Sequence, residues 1–264
     1  MALAASAQLA HMDQALTMGT RPVHYLGKAH AVPAADYTLP HSMIVNARGR
    51  RFVNELQMNV GLGLEERDPA TGERVHHPAW RIYDAQYARR YAHALPRSAP
   101  AGGPAGEELV QAESLAALAS RIGIDAAGLT DEAARMTRFA HAGRDDDFGR
   151  GGFGWDPGRS GDPRHVPNSC LGSIDKAPFY AFPFPPSFLG TKGGPRTDEF
   201  GRVLRVDGSL IEGLYCAGNA MANPFGSKAV GAGTTLGPCL TWGYICARSA
   251  LASAAPHPAA PLNP

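Results

Sequence analysis

No run in this chain approaches the roughly 20 consecutive apolar residues that a membrane-spanning helix needs, so no membrane span is predicted. An excess of charge is missing as well: 25 Lys plus Arg stand against 24 Asp plus Glu, a formal charge of +1. That removes the electrostatic case for nucleic acid or an acidic lipid surface as a partner. There are only four cysteines, Cys170, Cys216, Cys239 and Cys246, with no C-x-x-C pair and no histidine at metal-ligand spacing. Buried thiols in a reducing compartment are expected, and no metal site. The opening MALAASAQLAHMDQAL has neither a basic leader nor an apolar run long enough for a signal peptide. Cytoplasmic localisation is therefore expected.

What is present fits a folded chain of 264 residues, one large or two modest domains, able to bury roughly 70 to 75% of its unfolded surface. Alanines and leucines at helical spacing predict a helix over residues 2 to 18. Met43 to Val45, a turn at Gly49 and a resumption at Phe52 and Val53 predict strand–turn–strand, with Arg50 and Arg51 on the rim. Trp80 to Tyr83 reads as a strand and Asp84 as a helix start. Helices are predicted over 107–122 and 130–141. Val203 to Val206, a two-residue Asp207–Gly208 turn and a strand through Leu214 to Ala217 predict a hairpin. The tail AAPHPAAPLNP, residues 254 to 264, is expected to be disordered.

The segment GSKAVGAGTTLGPCLTWGYICARSA, Gly226 to Ala250, is a glycine loop running into an apolar helix. Gly231, Gly233 and Gly237 give G-x-G-x-x-x-G, one residue longer than the dinucleotide fingerprint, and no strand precedes them. The physics leaves two readings open. Thr234, Thr235 and Leu236 present free N–H groups at a positive helix end, a place for an anion or a developing negative charge. Alternatively, the glycines only allow close packing of a buried helix. Pro238 in the first turn supports the helix start under either reading.

A longer stretch carries a resemblance. PFYAFPFPPSFLGTKGGPRTDEFGRVLRVDGSLIEGLYCAGNAMANPFGSKAVGAGTTLGPCLTWGYICARSA, together with the upstream MIVNARGRRFVNE, DFGRG and LGSIDKAPFYA, resembles the FAD-dependent fumarate reductase and succinate dehydrogenase flavoproteins. Within them it resembles the 3-ketosteroid dehydrogenase branch most. The resemblance implies a mixed α/β and α+β fold: the C-terminal portion of a Rossmann-type FAD-binding domain, with an inserted α+β catalytic cap. It implies an FAD-domain remnant over 1–30, a substrate cap over 31–187 and the closing part of the FAD domain over 188–254. It also implies FAD as cofactor and a dehydrogenase-like oxidoreductase activity. The implied substrate is small, hydrophobic or carbonyl-bearing and steroid-like, and a separate N-terminal FAD-binding half is an implied partner.

Carried over by motif, Ala217, Gly218 and Asn219 follow the strand that approaches the ribityl or ribose region. Gly233, Thr234, Thr235 and Leu236 face the pyrimidine edge of the flavin ring. Gly190, Thr191 and Gly193, from LGTKGG, line the other side of the ring. Gly233 matches the glycine whose N–H polarises the substrate ketone. Two tyrosines of the branch are replaced, one by Ala229 and one by Asn59. Lys228 and Asn59 are the candidate polar groups near the carbonyl, with Ser227, Lys192 and Tyr180 as further candidates.

Overall fold

Residues 2 to 18 do not form the expected helix. After one 3-10 turn at Leu3–Ala5 the chain extends into β1 (Leu9–Ala10), which pairs antiparallel with Gly194–Pro195. Gln8 donates its N–H to Leu204 O and accepts from Arg196 N–H, both at 2.8 Å. A distant main-chain ladder thus overrides alanine's local preference for helix. The computed structural model describes residues 2–25, 28–33, 38–57, 60–91, 109–152, 161–226, 229, 231 and 233–254. The chain divides into unit 1, Met1–Leu16 with Phe188–Pro264, and unit 2, Thr17–Ser187.

The chain passes into unit 2 along β2 (Ala15–Tyr25), which forms an antiparallel hairpin with β3 (Lys28–Pro33). Beyond it lies a four-stranded antiparallel sheet. It contains β4 (Ser42–Val45), β5 (Trp80–Asp84), β6 (Val110–Ala112) and β7 (Phe179–Pro183), in the order β4-β5-β7-β6. Strand alternation sorts the core. Met43, Val45, Ile82 and Ala181 join a cluster with Leu118, Leu129 and Met136, which lie on α3 (Leu115–Ile122) and α4 (Ala126–Ala142). Ile44 joins Val53, Phe184 and the short helix α1 (Val60–Leu64) instead. Tyr83 packs with Phe182, Tyr91 and Tyr87, the last on α2 (Ala85–Arg90). Asp84 caps α2 as expected, accepting from Gln86 and Tyr87 N–H.

Two expected helices move. Val110–Ala112 pairs with β7, so α3 waits for Ser114, whose Oγ accepts from Ala117 N–H at 3.1 Å. In α4, Asp125 takes the capping role from Gly128 N–H at 3.0 Å, ahead of the predicted start at Thr130. The turn at Gly49 is present, with Gly49 N–H on Asn46 O at 2.9 Å. Phe52 and Val53, however, form no strand, because Ile44 N–H is satisfied by the Glu55 carboxylate at 3.2 Å.

The chain returns to unit 1 along β8 (Pro186–Thr191) and β9 (Gly194–Pro195), then forms the expected antiparallel hairpin of β10 (Arg202–Leu204) and β11 (Leu210–Tyr215). Its loop is longer than the two residues predicted. Arg205 N–H bonds to Ser209 O at 2.7 Å and Gly208 N–H to Arg205 O at 3.0 Å, so Val206, Asp207 and Gly208 make the connection. A single helix, α5 (Leu236–Ala254), follows. The sequence predicts it buried all round, yet Leu236, Leu240, Tyr244 and Leu251 are exposed, Leu240 by 76%. Of the cysteines only Cys170 is buried; Cys239, on α5, is exposed.

Candidate functional site

Three segments singled out in the sequence come together in unit 1. Gly190 and Thr191 end β8, and Ala217 leads into the 3-10 turn Gly218–Ala220 that follows β11. A Cβ on Gly190 would stand 3.8 Å from Asn219 Nδ2, with nothing else as near among the described residues. The turn rests on α5, because a Cβ on Gly218 would meet Cys239 Sγ at 2.7 Å. Thr191 and Asn219 are both exposed.

Gly193 sits against the chain itself: its missing side chain faces His11 O and Met12 Cα, both at 2.7 Å. Gly194 is tighter still, with Ala220 O at 2.1 Å from the Cβ it lacks. Backbone crosses backbone here on both sides, which only glycine permits.

The loop ahead of α5 has the opposite character. Gly233 has φ +86, and a Cβ there would meet no atom of the described residues within 4 Å. The same holds for Gly231 and Gly237 among the described residues. Thr234 is buried and ties the loop: Gly231 N–H donates to its Oγ1 at 3.2 Å, and Oγ1–H donates to Gly231 O. Its own N–H, expected free, turns back to Gly231 O at 3.4 Å, and Gly237 N–H reaches Gly233 O at 2.7 Å. Thr235 is half-buried and Leu236 exposed. A helix of 19 residues carries about half a positive charge at this end. The loop therefore offers an uncovered glycine side beside a positive helix end. Lys228, Ser227 and Asn59 lie outside the described residues. Ala229 is buried.

Between the loop segments lies a residue of another kind. Lys192, next to Thr191, is 1% exposed, and among the described residues its Nζ has no hydrogen-bond partner. Burial lowers its pKa.

In unit 2 the segments GRRFVNE and DFGRG interlock through buried ions. Arg51, expected on a rim, is buried: it donates to Glu55 at 2.9 and 2.8 Å and to Asp145 at 2.9 Å. Arg150 stands 3.4 Å from Glu55 and donates to Ser42 O at 2.8 Å and Leu39 O at 2.9 Å. Burial alone would push the Glu55 carboxyl up, but Arg51 and Arg150 hold it below the usual carboxylate range. Tyr180 is half-buried and stacks on Tyr83, rings 5.0 Å apart. His76 stacks on Phe52 at 4.2 Å and faces Glu66 at 3.3 Å. Among the described residues no helix is long and apolar enough to cross a membrane.

The glycine loop of unit 1 enters a helix of 19 residues, and the comparisons with known proteins place the chain in a family. The model of the FAD binding domain family matches residues 1–236, and the chain belongs to that family. Its cofactor is FAD. It is 41% identical over 225 residues to a 3-oxosteroid 1-dehydrogenase of Mycolicibacterium smegmatis, covering 82% of this chain and 39% of the relative. It is 38% identical over 219 residues to a 4-oxocyclohexanecarboxylate 2-dehydrogenase of Sinomonas cyclohexanicum, covering 82% and 38%. The crystal structure of 3-ketosteroid delta1-dehydrogenase from Sterolibacterium denitrificans, in complex with 1,4-androstadiene-3,17-dione, superposes with a TM-score of 0.82 at 34% identity, over 96% of this chain and 46% of that one. A flavocytochrome c3 fumarate reductase, at 20% identity and a TM-score of 0.53, shares the fold alone. The chain thus spans less than half the length of these relatives.

Proposed function

We propose that the chain is part of an FAD-dependent dehydrogenase that acts on a carbon–carbon bond beside a ring ketone, with a steroid-like or smaller cyclic ketone as substrate. In this reading unit 1 is the closing portion of a Rossmann-type FAD-binding domain and unit 2 is the α+β cap. The observation that carries it is the uncovered loop at Gly231, Gly233 and Gly237 leading into α5, in a chain 41% identical to a 3-oxosteroid dehydrogenase.

FAD, when bound, supplies hydride exchange with substrate carbon at its N5. The chain's own residues do the rest. Gly190 and Gly233 leave surface bare enough for a planar ring to lie close. The positive end of α5, from Gly233 to Leu236, would stabilise negative charge on a ring held beside it. The Gly233 N–H polarises the substrate carbonyl. Ala229, in place of a tyrosine, removes one hydroxyl donor from that carbonyl.

The test is to purify the chain, add FAD, and follow bleaching of an artificial dye acceptor with a 3-ketosteroid and with a simple cyclohexanone. Ketone-dependent bleaching is expected. A chain that binds FAD and bleaches the dye with no cyclic ketone overturns the dehydrogenase reading.

The exposed apolar face of α5 favours a second reading, in which the chain acts with a separate polypeptide that supplies a dinucleotide-binding half. That reading requires FAD to be retained only after the second polypeptide is added.

A further inference from the structure

Helix α5 has two sides that avoid charge, and unit 1 covers one of them. Cys246 Sγ stands 3.5 Å from Cys216 O, Ser249 Oγ donates to Phe200 O at 2.9 Å and Ser253 Oγ accepts from Tyr215 O–H at 3.2 Å. At 3.6 residues per turn, Leu236, Leu240, Tyr244 and Leu251 fall within an arc of about 80° on the roughly opposite side. They are 63% to 76% exposed. Arg248 is the one charged residue among the 19 of α5. A helix apolar on both sides belongs between two layers. The strand beside it is open as well. β11 pairs with β10 along one edge, and among the described residues no strand pairs along the other. A groove of about 670 Å³ lies between β11 and the end of α5, where Ala250 and Ser253 line it. Every residue of β11 from Leu210 to Tyr215 lines it too. Successive strand residues point to opposite faces, so a groove that touches all of them follows the edge.

An unpaired strand edge is completed by a strand, and a bare apolar helix side by another packed element. A unit that brings both in sequence is strand, glycine loop and helix, the form that holds a dinucleotide's pyrophosphate at the helix N-terminus. FAD carries a pyrophosphate, and the glycines ahead of α5, spaced G-x-G-x-x-x-G and following no strand, do not have that form. The match to the 3-oxosteroid 1-dehydrogenase of Mycolicibacterium smegmatis also leaves most of that relative, all but 39%, without a counterpart here. We propose that the groove along β11 and the bare side of α5 form one docking surface, and that its occupant is a polypeptide carrying a strand–glycine loop–helix unit. Its strand pairs with the open edge of β11, and its apolar side chains cover Leu240 and Tyr244. The proposal rests on the reading in which a separate polypeptide supplies the dinucleotide-binding half, and it assigns the surface which that reading needs.

The test co-expresses the whole chain with the part of the Mycolicibacterium smegmatis relative outside the matched 39%, the latter carrying an affinity tag. Three things are read: recovery of the chain with the tag, flavin absorbance of the product, and amide hydrogen exchange of the chain with and without its partner. Recovery is expected, and it should change little with salt because the surface holds few charges. Exchange across Leu210–Tyr215 should slow at least tenfold in the wild-type complex. Leu214→Lys and Leu240→Lys are each expected to cut recovery at least tenfold. Val166→Lys, at an apolar residue of unit 2 that is 79% exposed, should leave it unchanged. A complex that retains flavin while exchange in β11 and α5 stays as in the free chain overturns the docking surface and leaves the two-polypeptide reading standing. Equal loss of recovery with Val166→Lys overturns the surface too. A chain that binds FAD alone and is not recovered with the tag overturns both the surface and the two-polypeptide reading. A chain that is not recovered and binds no FAD overturns the surface and the flavin reading together.

Discussion

Gly233 shows how much a single residue decides in this chain. Its φ of +86 excludes branched side chains, and the open space around it marks a side left for something else. Gly233→Val is expected to abolish FAD-dependent turnover while leaving the far-UV spectrum unchanged; retained turnover would show that nothing lies against the loop. The buried ions of unit 2 give a second expectation. The Glu55 and Asp145 carboxyls are both held below their ordinary range by Arg51, against the upward pull of burial. A depressed carboxylate contributes stability that is complete above its unfolded pKa, about 4, and is lost as pH falls through the folded value. Denaturant midpoints should therefore be flat from neutral pH down to about 5 and drop steeply below about 4. Glu55→Gln, which removes the buried carboxylate shared by Arg51 and Arg150, should cost about 3–5 kcal/mol at neutral pH, read by urea unfolding. Some of this was legible as residues: the glycine loop and Lys192 both stood out in the sequence. That Arg51 is inside and Lys192 has no partner was not, because burial depends on distant segments that meet only in the fold.

At the scale of elements, local signals were read well where the chain satisfies itself and poorly where it does not. The β10–β11 hairpin and the Asp84 cap of α2 rest on neighbours in sequence, and both are present. The N-terminal helix, the strand at Phe52–Val53 and the early start of the 107–122 helix were misread, each time because a long-range partner won. Leu9 pairs with Pro195, Glu55 caps the edge of β4, and Val110 pairs with Ala181. The caps can be tested. Asp125→Ala should destabilise the chain by about 1 kcal/mol and Thr130→Ala by less, since only Asp125 closes the end of α4. On α5, Leu236, Leu240 and Tyr244 are spaced four apart and fall on one face. Leu240→Lys should reduce binding of an apolar dye; unchanged dye binding would place the accessible apolar surface elsewhere.

For the molecule as a whole, the family and the cofactor were legible because an ordered set of segments, from MIVNARGRRFVNE to the loop before α5, carries far more information than any one glycine motif. The resemblance assigns residues 1–30 and 188–254 to one domain around 31–187, and the chain divides into unit 1, Met1–Leu16 with Phe188–Pro264, and unit 2, Thr17–Ser187. Ligand linkage tests the chain at this scale. FAD at about 100 times its dissociation constant should stabilise the chain by about 2.7 kcal/mol. A melting temperature indifferent to FAD would show that the cofactor does not bind the folded chain.

That same split has a consequence for the order of events on the ribosome. Leu9 and Ala10 leave the exit tunnel well before their partners, Pro195 and Gly194. At translation rates of about 5–20 residues per second, their wait lasts roughly 10 to 40 s. Unit 2, whose sheet and helices all lie between, has its full complement of partners first. Strand β1 is thus synthesised well ahead of its partner and pairs only once β9 has emerged. During that interval it is an unpaired edge, and the nascent chain needs it kept from other edges until the last third emerges.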